Sequence, residues 1–341
     1  MSRAQLTSTT QQDSGGAVAP FLAGKNKIIN GDFAINQRGF TSTTSSGIYN
    51  FDRWVGYSSG GTVTYSSQNF TLGSAPVAGY ESANYLQIAT TGQSAAGDDT
   101  LLDQKIESVR TFAGQTVTYS FWAKATSGTP SVALEIYQIF GTGGSPSGEV
   151  DTYGGKVTLS TSWARYFITT TIPSIAGKTI GTDANSSFIG ARLWLSAGSN
   201  YNGRSGSLGI QNSTMQFWGL QLEAGSVATP FTTASNTLQG ELALAQRYYQ
   251  QNRGQGTAYA SNGIGGPLTF PVQMRTTPTM SIVNNQLRQT NSGGTTTPSP
   301  NFVFGVDATG CTYIFASSFS TSLSTGSSCS YDFVYIASAE L

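Results

Sequence analysis

From Lys27 to about Phe231 the chain runs in short stretches where apolar and polar residues alternate, separated by Gly, Ser and Pro. A period of two is the mark of a half-buried strand. Val117–Lys124, Val132–Phe140, Trp163–Ile172, Phe188–Ser196 and Met215–Glu223 read this way, and Ala125-Thr-Ser-Gly-Thr-Pro130 reads as a turn. The period changes over Asn236–Gln251. There Leu238, Leu242, Ala245 and Tyr249 follow helical spacing, Asn236 or Thr237 can cap the start, Glu241 and Arg247 suit the helix dipole, and Gly254 offers a stop. Strand-like runs resume at Leu268–Met274, Met280–Val283, Asn301–Val306, Cys311–Ser318 and Tyr331–Ala337. The pattern predicts an all-β protein. A polar arm spans residues 1–25, a β-sandwich 26–233, a short linking helix 234–253 and a second β domain 254–341. No internal repeat of fixed period is present, which disfavours a solenoid.

Strand parity separates two kinds of face. Val117, Tyr119, Phe121 and Ala123 share one side of their strand, and Thr118, Ser120, Trp122 and Lys124 the other. The same division sets Glu135 and Tyr137 apart from Val132, Leu134 and Ile136, and Arg192 and Trp194 apart from Ala191, Leu193 and Leu195. Trp122, Lys124, Glu135, Tyr137, Arg192 and Trp194 therefore combine rings with charges. That composition suits a glycan-binding face, where flat rings stack on sugars and polar groups bond hydroxyls. Rings covered by a loop or by a neighbouring subunit show the same composition, and that reading is the commoner one.

Composition narrows the function. The 341 residues carry 17 basic and 17 acidic side chains and no histidine, so no basic excess exists to neutralise phosphates and a nucleic-acid partner is not expected. Without histidine there is no Ser-His-Asp triad and no His-ligated metal. Serine and threonine make up about a quarter of the chain, and glycine contributes 41 residues, both strand-and-turn material. The acidic group Asp98, Asp99 and Asp103 sits beside a Gly/Ala-rich loop and reads as solvated charge rather than a hydrolytic pair. The expectation is a protein that is not an enzyme. The start of the chain has no apolar signal core, and no run approaches the ~18 apolar residues of a membrane span, so neither classical secretion nor membrane insertion is expected.

Cys311 and Cys329 open the stretches Cys311–Ser318 and Cys329–Ala337, read as consecutive strands. A hairpin centred near Leu323 or Ser324 would set them far out of register for a bridge, which favours free thiols over a disulfide. The arm offers Phe21 and Leu22 as its apolar residues. It reads either as a frayed tail or as a segment that orders on a partner through those two.

Several segments together resemble one family. They are Asn26-Lys-Ile-Ile-Asn-Gly-Asp-Phe33, Phe51-Asp-Arg-Trp54, Tyr119-Ser-Phe-Trp-Ala-Lys-Ala-Thr-Ser-Gly128, Thr161-Ser-Trp-Ala-Arg-Tyr166 and Gly219-Leu-Gln-Leu-Glu-Ala-Gly-Ser-Val-Ala-Thr-Pro-Phe231. In this order they look like the jelly-roll domain of bacteriophage tail-fibre and virion structural proteins. Gly240-Glu-Leu-Ala-Leu-Ala-Gln-Arg-Tyr-Tyr249 resembles the helix that follows it, and Phe270–Thr279 with Ala339-Glu-Leu341 resembles their C-terminal β domain. The first domain is also similar to jelly-roll carbohydrate-binding modules.

The resemblance implies a virion component assembled in the host cytoplasm. It would be a tail fibre or tail appendage that contacts the host surface, with the arm docked on the particle; the alternative is a capsid-attached fibre or decoration protein with a structural role. It implies other virion proteins of tail or head as partners, a host-surface glycan as ligand, and a homotrimer in which Leu242, Ala245 and Tyr249 pack around a threefold axis or beneath a β domain. Several such modules hold a structural calcium, for which Asp32 and Glu223 occupy suitable positions, although Asp32 equally suits an Asx-turn.

Overall fold

A computed structural model describes residues 24–78, 80–183, 185–254, 257–260, 263–289, 295–296, 301–317 and 329–341. Phe21 and Leu22, the anchors expected in the arm, lie outside the described residues. The chain is nearly all β, and its first part is a jelly-roll sandwich of two six-stranded antiparallel sheets. The first sheet contains, edge to edge, β1 (Ser42–Thr43), β4 (Thr62–Asn69), β5 (Asn84–Thr91), β12 (Thr214–Ala224), β7 (Thr116–Ala125) and β10 (Ala164–Thr171). The second contains β2 (Ile48–Tyr49), β3 (Val55–Ser59), β6 (Asp99–Glu107), β11 (Phe188–Ala197), β8 (Ser131–Ile139) and β9 (Val150–Thr158). Two four-stranded sheets follow. One is β13 (Tyr249–Gly254), β20 (Cys329–Ser338), β16 (Thr279–Gln289) and β17 (Thr295–Thr296); the other is β14 (Thr257–Ala260), β15 (Gly263–Thr269), β19 (Gly310–Ser317) and β18 (Asn301–Val306).

Alternation builds the core as the pattern requires. Val117, Tyr119, Phe121 and Ala123 of β7 meet Leu134 and Ile136 of β8 and Ala191, Leu193 and Leu195 of β11 in one buried cluster. In β12 a bulge falls between Trp218 and Gln221, at Gly219, whose φ of 64° lies in the left-handed region. A side chain there would also crowd the Trp122 ring at 3.1 Å.

Three of the segments quoted for the family likeness meet: Asn26–Phe33, Phe51–Trp54 and the start of Gly219–Phe231. Asn30 donates from Nδ2 to the carbonyls of Ile35 and Asp52 (2.8 and 3.0 Å), and its Oδ1 accepts from the Ile35 amide. Its own carbonyl takes the Trp54 indole N–H at 2.9 Å. At Gly31 a Cβ would stand 2.1 Å from the Leu220 carbonyl oxygen, so this close crossing admits only glycine. These residues tie loops together.

Three expectations are corrected here. The helix spans Leu238–Gln246 only, with Thr237 as its cap through a 3.1 Å bond from the Gly240 amide. It ends early because Tyr248 and Tyr249 find better packing outside it. Tyr248 stacks on the Arg53 guanidinium, and Tyr249 opens β13 with the Arg38 guanidinium 3.7 Å from its ring. Ala245 and Tyr249 are buried within this chain, so Leu242, Ala245 and Tyr249 do not form one helical stripe free for a threefold axis. Finally, Cys311 and Cys329 do not sit in one hairpin. The first lies in β19 opposite Leu268 and the second in β20 opposite Gln289, in different sheets, because β20 pairs with β16 and β13 rather than with β19.

Candidate functional site

The six aromatic and charged candidates do not form one surface. Trp122 and Lys124 stand on the outward side of β7, half-buried, with Lys124 Nζ 5.5 Å from the Trp163 ring centre and Arg165 of β10 opposite Trp122. Glu135, Tyr137, Arg192 and Trp194 belong to β8 and β11 of the other sheet, on its outward side. A sandwich turns its two outer faces in opposite directions, so the two groups cannot share a ligand.

The second group is also covered. Trp194, Glu135 and Tyr137 are buried, and the segment Ser199–Ser205 lies over them, with Tyr201 5.0 Å from the Trp194 ring. Glu135 accepts from the Trp194 indole at 3.0 Å and pairs with Arg204 and with Arg192. Arg192 reaches Asp103 at 2.9 Å, and Tyr137 donates its hydroxyl to the same carboxylate at 2.6 Å. The Tyr137 ring is seated over Gly190, where a Cβ would come within 1.9 Å of it. Burial pushes the Glu135 carboxyl up, against the pull of Arg204 and Arg192. This is an ionic network beneath a loop, linked through Arg192, and Asp103 is a buried member of it rather than a solvated loop charge.

Asp32 and Glu223 have separate partners. Glu223 accepts from the Thr229 amide (3.0 Å), the Thr229 hydroxyl (2.7 Å) and Gln221 Nε2 (2.6 Å), and pairs with Lys25 at 3.3 Å. A lysine ammonium already neutralises it, so these residues do not fit a calcium site. Among the described residues no group of three or more Asp, Glu, Cys or His side chains is placed to hold a metal ion.

Asp32 instead lines a cleft of about 560 Å³ at the foot of the first sheet. The Asn30–Phe33 turn places Asp32, the segment before β5 places Tyr80, Glu81 and Ser82, and the chain after β12 places Phe231, Thr232 and Thr233; Glu241 closes the floor from the helix. Tyr80 donates to Asp32 Oδ2 at 2.6 Å. Burial, and then the Asp32 carboxylate, hold that phenol well above its usual pKa. Glu241 is buried and accepts from the amides of Asn30 (2.8 Å) and Ser235 (2.7 Å); burial still raises its carboxyl above the usual range. The Tyr80 and Phe231 rings meet edge to face, 5.7 Å apart, and both pack on the fully buried Trp218. From Trp218 the rings continue through Phe70 to Tyr85 and Trp163.

Sequence reasoning named Asp32 of this cleft for another purpose and missed Tyr80, Glu81 and Glu241. Tyr80 and Glu81 lie in a Gly/Ala-rich stretch without strand periodicity, and Glu241 reads as an ordinary first-turn acid. Phe231 closes a segment quoted for the family likeness, which was the one available signal.

No family model and no curated protein matches the chain. Solved structures are similar over part of it. A carbohydrate-binding module described as "CBM4 structure and function" is 17% identical over 58% of this chain and 99% of its own, with a TM-score of 0.33. The CBM22-2 xylan-binding domain from Paenibacillus barcinonensis Xyn10C is 15% identical over 52% and 94%, TM-score 0.33. The enzymatically active domain of bacteriophage CBA120 tailspike protein 4 is 11% identical over 59% of this chain, TM-score 0.33, and the chain spans 22% of its length.

Proposed function

We propose that this chain is a virion structural protein, a tail fibre or tail appendage, whose jelly-roll sandwich contributes to host-surface attachment by holding a saccharide in the Asp32–Tyr80–Phe231 cleft, without catalysing its turnover. The virion role rests on the ordered likeness of segments from Asn26 to Leu341. The saccharide role rests on one observation: a cleft that sets two aromatic rings beside carboxylates and hydroxyls. Rings cover the apolar faces of a sugar, and the carboxylates accept from its hydroxyls. The likeness also implies a homotrimer, to be read as three chain masses in light scattering.

The test is adsorption of the purified chain to host cells, paired with thermal melts of Tyr80→Ala and Phe231→Ala. Both rings are only half-buried, so each variant keeps a cooperative melt while losing adsorption. Wild-type adsorption by both folded variants overturns the cleft assignment.

A further inference from the structure

The cleft carries a one-sided charge. Asp32, Glu81 and Glu241 all line it, and no lysine or arginine stands among its described lining residues. Elsewhere on the sandwich several acidic groups are answered by a cation: Asp103 and Glu135 by Arg192, Glu107 by Arg247, Glu223 by Lys25. Two hydroxyls of the cleft, those of Tyr80 and Ser82, are turned toward acceptors of the chain itself. The Tyr80 hydroxyl hydrogen points to Asp32 Oδ2, which leaves the phenol oxygen as an acceptor. The one hydroxyl proton of Ser82 has the backbone carbonyls of Asp32 (3.3 Å) and Asn84 (3.4 Å) as alternative acceptors. Glu241 already receives two amides, and Glu81 is exposed at the rim with one bond, from the Gly73 amide at 3.2 Å. A concave site walled by low-dielectric rings focuses such a field.

From this we infer that the cleft selects saccharides by charge, accepting neutral and amine-bearing sugars and rejecting those that carry uronic acid, sialic acid or phosphate. The inference rests on the saccharide reading above. A neutral sugar supplies the hydroxyl donors that the acceptors need. An ammonium adds attraction to the unanswered carboxylates, and a sugar carboxylate or phosphate meets like charge with no cation to offset it.

The experiment is an oligosaccharide array of neutral hexose, glucosamine-type and uronic- or sialic-acid-type oligomers. It is probed with the full chain, with Glu81→Gln and with Asp32→Asn, at low and at high salt. The expected order is glucosamine-type, then neutral, then acidic. Glu81→Gln, a change at an exposed position, narrows the neutral-to-acidic ratio by about twofold to fivefold, and high salt narrows it as well. Sugar binding that shows no such order, or an order unchanged in both variants, overturns the charge selection while the saccharide reading stands. Binding to no sugar on the array overturns the saccharide reading itself.

Discussion

Arg53 and Glu340, separated by almost the whole chain, form a buried ion pair that joins the sandwich to the last residues of the structure. Arg53 follows Asp52 in a turn where its own φ is 74°, and its guanidinium lies 3.4 Å from the Tyr248 ring centre. Glu340 reaches Arg38 at 2.6 Å with its other oxygen. Around it the Leu341 oxygen accepts from Lys105 (2.6 Å) and Tyr49 (3.2 Å), and Arg275 holds the Ala339 carbonyl at 2.6 Å. The Phe51–Trp54 segment and the terminal Ala-Glu-Leu thus belong to one joint.

Breaking that joint on one side is expected to be costly. Glu340→Gln leaves Arg53 buried without a counter-charge, and a lost partner in a buried pair costs about 3–5 kcal/mol. Urea melts report the loss, and limited proteolysis reports release of the C-terminal sheets. Because well-packed apolar replacements of a buried pair are often neutral, Arg53→Met with Glu340→Leu should recover much of it. An unchanged melt for Glu340→Gln removes the pair from the list of stabilising contacts.

Asp52 predicts a pH dependence. Burial raises its carboxyl from 3.8 to about 6, against Arg38 and the Gln37 donors. A carboxyl whose folded pKa exceeds its unfolded one binds its proton more tightly in the fold. Its contribution to stability is therefore complete below about pH 4 and is lost as pH rises through about 6. Denaturation curves across that window should show the wild type losing stability relative to Asp52→Asn, whose side chain does not titrate. Parallel curves for the two proteins would contradict the assignment.

The two tryptophans once paired by pattern should separate on substitution. Trp194 is 1% exposed and bonds Glu135, so Trp194→Ala should cost about 3–5 kcal/mol, the range for large core truncations. Trp122 is half-buried against Gly219 and should cost less. Thermal melts of both decide the order, and equal losses would mean that Trp122 is as much a core residue as Trp194.

Gly190 sets a stricter test of the ionic network. A methyl at this position collides with the Tyr137 ring and displaces its hydroxyl from Asp103. Gly190→Ala is expected to destabilise by about 1–3 kcal/mol, as overpacking does. In the Tyr137→Ala background the added methyl should cost little, and full additivity of the two changes would show that they do not touch.

Much of the sandwich was legible along the chain because strand parity is local. Two residues on the same side of β7 stay on the same side wherever the strand goes, so Tyr119 and Phe121 announce a core and Trp122 and Lys124 an outer face. Parity says nothing about which outer face. Trp122 and Trp194 carry the same signal, yet one half-faces solvent on the first sheet and the other lies sealed under Tyr201 on the second, since strand order depends on pairing between distant segments. The helix was visible for the same local reason, but its end was not: Tyr248 and Tyr249 continue the helical spacing and leave it for Arg53 and Arg38, which arrive from residues some two hundred positions earlier.

What the amino-acid order determined by itself is the class: an all-β chain with alternating strands, one short helix that starts near Asn236 and Thr237, no histidine chemistry and no excess of charge. Tertiary structure alone decided the site. Asp32, Tyr80, Phe231 and Glu241 have no common period, and each reads as a turn acid, a loop ring, a strand end or a first-turn glutamate. They form a cleft because the Asn30 turn, the segment before β5, the chain after β12 and the helix are folded onto one end of the sandwich. Proximity across such distances is set by the packing of the whole core, and no local pattern encodes it.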